Sequence, residues 1–136
     1  MISLEDFKGR YVVLYFYPRD NTPGCTREAC EFQKHHGRLQ ASGAVVLGVS
    51  ADSTTSHQKF AARFHLPFLL LSDGDHKIAE AYGAWGPKTF MGRQFMGMRR
   101  VTFLIGPDGR IRKVWTQVKP PEHAREVLEA IAGCAD

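Results

Sequence analysis

The chain has 136 residues, 43% hydrophobic and 24% charged, the size and balance of one globular domain that needs no disulfide scaffold or structural metal to fold. Its 18 Lys and Arg against 14 Asp and Glu give a net charge of +4; the basic residues are scattered, with Arg99–Arg100 the densest cluster, which argues against nucleic acid as the main partner. No apolar run reaches the ~18 residues that span a bilayer, and the opening MISLEDFKGR lacks the apolar stretch of a signal peptide, so a cytoplasmic protein with no membrane partner is expected.

Residues 11–17, YVVLYFY, are β-branched and aromatic throughout and predict a strand buried on both faces. The turn-rich stretch 18–24 follows, then a helix over about 25–40 that Gly43 ends. A second buried strand is predicted over 44–50, AVVLGVS. Ser53 or Thr54 caps a helix running to about Phe64, Pro67 stops it, and 68–71 forms a short third strand. A short helix is predicted over 73–82. Residues 83–97 carry Gly83, Gly86, Pro87, Gly92 and Gly97 and predict a loop. Strands at 101–105 and 110–116 flank the tight-turn signal Gly106-Pro107-Asp108-Gly109. A last helix over 120–132 begins with two prolines, where proline is tolerated. Alternation followed by a hairpin predicts an α/β protein, a mixed sheet with helices on both faces in one domain spanning 1–136. That is the plan of a thioredoxin-like fold.

The three cysteines are Cys25, Cys30 and Cys134. An odd, low count does not read as a disulfide framework. Thr22 suits a helix N-cap and Pro23 the first helical position, which places Cys25 in the first turn, where unpaired backbone N–H groups favour an anion. A thiolate there is stabilised and reactive if solvent reaches it. The bland alternative is a small buried hydrophobe; a loop at the carboxyl end of a buried strand, where α/β proteins bind ligands, argues for reactivity. Cys30 follows five residues later. On an intact helix the two Cα atoms lie roughly 8.7 Å apart, against a ceiling of about 6.8 Å for a disulfide. A bridge therefore requires the first turns to unwind. Taken alone, Cys30 serves equally well as a core residue.

The string FYPRDNTPGCTREACEF resembles the P-x-x-x-T-x-x-C signature of the peroxiredoxins, and CTREAC is similar to the C-x-x-x-x-C of their PrxQ, or bacterioferritin comigratory protein, group. WGPKTFMGRQFMGMRRVTFLIGPDGRI resembles the same group's W-G-x-K-x-x-M-G segment and the R-x-[ST]-F-L-I-x-x-D-G that follows it. The resemblance covers about Leu4 to Ile131. It implies a thiol-dependent peroxidase that reduces hydrogen peroxide and small organic hydroperoxides and is recycled by thioredoxin or a similar dithiol. Cys25 matches the peroxidatic cysteine and Cys30 the resolving one, implying an intramolecular disulfide. Thr22 matches the hydroxyl that bonds peroxide, Pro18 the ring that shields the site, and Arg100 the arginine that stabilises the thiolate and the developing oxygen charge. Glu28, one turn after Cys25, is placed to orient Arg100; the alternative is a solvated helix face. Family members usually start earlier, with a G-x-x-A-P-x-F segment and a hairpin that are not found here. That departure leaves a monomer or a weak homodimer as the expected assembly.

Phe90, Met91 and Met96, with Phe95 and Met98, are candidates for an apolar pocket holding an organic peroxide's tail, or for core filling beneath a loop. Cys25, Cys30, His35 and His36 match no standard zinc spacing, and the reading needs no cofactor and no metal. His57, His65, His76 and His123 sit among helix-surface charges and are given no role, nor is Cys134. Two other functions remain open: a general thiol–disulfide oxidoreductase, and a redox-sensing or nucleic-acid-binding module.

Overall fold

A computed structural model describes the backbone of residues 4–134 and their side chains except those of Leu4, Phe90 and Cys134. A 3-10 turn at Leu4–Phe7 leads into β1 (Tyr11–Phe16), α1 (Pro23–Ala41), β2 (Ala44–Ser50), α2 (Thr54–Phe64), β3 (Leu69–Ser72) and α3 (Lys77–Ala81). Then come β4 (Trp85–Phe90), β5 (Arg93–Met98), β6 (Val101–Ile105), β7 (Ile111–Trp115) and α4 (His123–Cys134). Five strands form a sheet in the order β3-β2-β1-β6-β7. β1–β2 and β2–β3 are parallel, joined by the helical crossovers α1 and α2; β1–β6 and β6–β7 are antiparallel. The mixed sheet flanked by helices is a thioredoxin-like fold.

The alternation of side chains along a strand splits β1 between two cores. Val13, Tyr15 and Tyr17 join Phe32 of α1, Phe60 of α2 and Val127 and Ile131 of α4 on one face. Val12, Leu14 and Phe16 join Ala79 of α3 and Trp85 and Met98 of the β4–β5 ribbon on the other. β1 is buried on both faces because it is the central strand.

The largest departure from the sequence reading is at residues 83–97. The predicted loop is a two-stranded antiparallel ribbon, β4–β5, pairing Trp85 with Met98 and Phe90 with Arg93. Met91 and Gly92 make its turn with φ of 51° and 79°, the positive pair that a tight hairpin requires. Glycine and proline disguised it: Gly86 faces Gly97 and Pro87 faces Met96, tolerable in a ribbon with an open edge on each strand. α3 starts later than predicted, with Asp73 accepting the N–H groups of Ile78 and Ala79 ahead of it. α4 also starts late, because the residues after Lys119 turn back on its carbonyl, which accepts from the N–H groups of Glu122 and His123.

Candidate active site

The strand-to-helix junction after β1 holds the candidate site residues Pro18, Thr22 and Cys25. Thr22 occupies the N-cap position of α1 in an extended conformation, and Pro23 takes the first helical position. The predicted cap bond is not made. Thr22 Oγ1 instead donates to the Arg19 carbonyl at 2.9 Å. Its lone pairs remain free to accept, which suits a hydroxyl facing a peroxide O–H. Thr26 N–H bonds Thr22 O; the amides of Gly24 and Cys25 precede the first intrahelical bond and have no acceptor within the helix.

Cys25 lies on the same inward stripe of α1 as Ala29, Phe32 and Leu39 and is only 2% exposed. Cys30 falls off that stripe and is half-buried; both are free thiols. Arg100, just before β6, reaches over the helix terminus. Its Nη2 donates to Cys25 Sγ at 3.2 Å and its Nη1 to Glu28 Oε1 at 2.6 Å. A Cβ added to Gly24 would lie 3.1 Å from Nη2, so glycine here lets the guanidinium approach. Glu28 is wholly buried and so is no solvated face; its Oε1 accepts from Arg100. Burial pushes its carboxyl up to about 7, opposed by the charge and hydrogen bond of Arg100. Glu28 Oε2, Tyr15 Oη and His123 Nδ1 are buried nearby without hydrogen-bond partners among the described residues.

Pro18 and Thr22 line one wall of a cleft of about 650 Å³ whose other wall is the β4–β5 ribbon, with Lys88, Phe95, Met96 and Met98. Of the predicted pocket residues, Phe95, Met96 and Met98 line it. Met91 does not: it is 87% exposed at the hairpin tip, where the turn points it into solvent. The Phe90 side chain and that of Cys134 lie outside the described residues.

A second polar cluster, missed from the sequence, braces the loop between Pro18 and Thr22. Asp20 accepts from Tyr17 Oη at 2.6 Å, Ser56 Oγ at 2.8 Å and His57 Nδ1 at 2.7 Å. His57 Nε2 lies 3.1 Å from the Leu71 carbonyl. Both ring nitrogens thus face acceptors, which fits a charged imidazolium. Burial acts against charge on both residues, but their contact outweighs it, aided at Asp20 by the two hydroxyls and at His57 by the Leu71 carbonyl. Asp20 is held below its ordinary value and His57 above. The surface assignment of His57 is corrected: it is 3% exposed, on the α2 stripe with Phe60 and Phe64. His123 is buried likewise, on the inner face of α4, with Nε2 2.8 Å from Thr102 Oγ1. Burial and the charge of Arg100 push His123 down to about 4. His65 and His76 do stand at helix ends. Asp20, Asp52 and His57 bring donor atoms within 4.8 Å of one another, yet these atoms already engage internal partners: Asp52 Oδ2 accepts from Asp20 N–H and Ser50 Oγ.

A thiol at a helix N-terminus, under a guanidinium held by a buried carboxylate, on a thioredoxin-like scaffold, is the site of a cysteine-based redox enzyme. The sequence pattern of the AhpC/TSA family matches residues 1–114. The chain is 48% identical to peroxiredoxin Bcp of Bacillus subtilis (strain 168) over 130 residues, 96% of this chain and 83% of that one. It is 42% identical to peroxiredoxin Bcp of Escherichia coli (strain K12), covering 93% and 81%. A structure of Xanthomonas campestris peroxiredoxin Q superposes with a TM-score of 0.94 at 39% identity, covering 99% of this chain and 85% of that one. The chain belongs to the AhpC/TSA family, as a peroxiredoxin of the PrxQ and bacterioferritin comigratory protein group, and is a thiol-dependent peroxidase.

Proposed function

We propose that the protein reduces hydrogen peroxide and small organic hydroperoxides at Cys25, forms a Cys25–Cys30 disulfide, and is recycled by thioredoxin or a similar dithiol. The contact between Arg100 and Cys25 Sγ carries the assignment. The Cys25 thiolate attacks one peroxide oxygen; an S–O bond forms, the O–O bond breaks, and the leaving oxygen departs with the electron pair. Arg100 holds a permanent positive charge beside the sulfur and the oxygen it takes up. Glu28 is its positioning residue. Thr22 accepts the peroxide O–H, and Pro18 walls the site against water. Apolar side chains Phe95 and Met96 give an alkyl tail a place in the cleft, and the bacterioferritin comigratory protein of Xanthomonas campestris, a structural neighbour with a TM-score of 0.93, has alkyl peroxide reduction activity. Cys30 then attacks the sulfenic sulfur, expelling water. The odd, low cysteine count suits a reducing compartment, and we read the protein as a cytoplasmic monomer or weak homodimer built as one domain.

Single-turnover oxidation and thioredoxin-coupled turnover test this together. Cys25→Ser should lose both. Cys30→Ser should accept one oxidation and fail to turn over. Full coupled turnover by Cys25→Ser would overturn the assignment.

A further inference from the structure

The thiolate reaction leaves an alkoxide or hydroxide that must gain a proton, and neither Arg100, Thr22 nor Arg19 supplies one. Both Arg100 nitrogens that face the site are engaged, and a guanidinium gives up no proton. The Thr22 hydroxyl hydrogen is spent on the Arg19 carbonyl. Arg19, on the same wall of the cleft, is again a guanidinium.

Lys88 stands on the opposite wall. Its stem crosses β5 at Gly97, where an added Cβ would lie 3.0 Å from Lys88 Cδ. The absent side chain therefore lets the lysine lie along the ribbon. Its Nζ donates to the Met98 carbonyl at 2.9 Å, two residues before Arg100. One of three N–H groups is used there, and among the described residues no carboxylate pairs with the ammonium. The charges of Arg100, Arg99 and Cys25 all act on it, and burial, reinforced by the two arginines and opposed by the Cys25 thiolate, holds it below its ordinary value. A half-buried, unpaired cation at the edge of the site has an anion as its natural partner.

Displacement at oxygen runs in line, so the leaving oxygen points away from Cys25 Sγ. Pro18 and Thr22 border both the site and the cleft, which puts that oxygen on the cleft side. We propose that Lys88 is a further catalytic residue, the general acid that protonates the leaving oxygen. As the O–O bond breaks, the Lys88 ammonium transfers one N–H proton to the leaving oxygen, giving an alcohol or water. The neutral amine then recovers a proton from solvent. The attacked oxygen keeps its own hydrogen as the Cys25 sulfenic acid. This inference rests on the peroxidase reading.

The test uses two oxidants that differ in leaving group. Ethyl hydroperoxide leaves as an alkoxide, which needs the proton; peroxyacetic acid leaves as a carboxylate, which does not. Sulfenic acid on Cys25 is followed in single turnover by mass spectrometry in a Cys30→Ser background, where it is not resolved to a disulfide. Lys88→Met should slow ethyl hydroperoxide by about a hundredfold, the ordinary contribution of a general acid, and leave peroxyacetic acid nearly unchanged. That retained rate also reports a folded site. Lys88→Arg keeps the charge without a transferable proton, so it should show the same selective loss. Equal losses with both oxidants, no loss with either, or recovery of ethyl hydroperoxide reduction in Lys88→Arg would each overturn the proposal. Failure of the unmutated protein with both oxidants would remove the peroxidase reading itself.

Discussion

Replacing His57 by leucine removes one half of a buried ion pair behind the catalytic loop. Asp20 and His57 are 3% and 4% exposed at their side chains and 2.7 Å apart. The variant leaves Asp20 with two hydroxyl donors and strands the Leu71 carbonyl that faces Nε2. Breaking a buried pair from one side costs about 3–5 kcal/mol. At about 3–5 °C per kcal/mol for a domain of this size, the midpoint should fall by roughly 10–20 °C. Urea unfolding of His57→Leu, Asp20→Asn and the double variant isolates the pair, with an expected coupling above about 1.5 kcal/mol. The pH dependence carries a sign. His57 titrates above its ordinary 6.5 when folded, so its contribution is complete below 6.5 and is lost as pH rises through the folded value. Asp20 titrates below its ordinary 3.8, so its contribution is present above 3.8 and is lost as pH falls through the folded value. The gap between the parent protein and His57→Leu should therefore be widest between these limits and shrink on the alkaline side. Additive single-variant costs, or a gap that does not change with pH, would show that the two residues are neighbours without being an ion pair.

Arg100→Met should slow single-turnover oxidation of Cys25 at least tenfold, about 1.4 kcal/mol of barrier, and unchanged stopped-flow rates would refute its role. Gly24→Ala should slow the same step by a smaller factor, because the new Cβ meets Arg100 Nη2 at 3.1 Å. Oxidation to the Cys25–Cys30 disulfide should collapse amide-exchange protection from about Thr26 to Gln33, and reductant should restore it; unchanged protection in a verified disulfide form would contradict the helix geometry. Glu28 titrates at about 7 when folded against an ordinary 4.5. The cost of its charge is therefore absent below 4.5 and complete above 7. Glu28→Gln should gain stability relative to the parent as pH rises across that range, by about 3 kcal/mol at most, and a constant urea-unfolding difference would count against a buried, titrating carboxyl.

Much of this protein is legible along the chain because its determinants are local. β1 and β2 announce themselves as unbroken β-branched and aromatic runs, since both faces of a central strand are apolar. Thr22 and Pro23 set the start of α1, and that start puts Cys25 in its first turn whatever surrounds it. What the tertiary structure alone decides is which distant groups meet there. Arg100 reaches Cys25 across 75 positions only because β6 pairs antiparallel with β1, and Glu28 leaves solvent only because Arg100 arrives to meet it. His57 and Asp20 are separated by 37 positions, and no local pattern joins them, although the spacing of His57, Phe60 and Phe64 already marked one inward face. The β4–β5 ribbon was hidden because its glycines and proline are breakers in a sheet interior and are harmless in an isolated pair of strands. Its position, set by burial of Trp85 and Met98 in the core, is what turns a loop with a cysteine into a cleft with two walls.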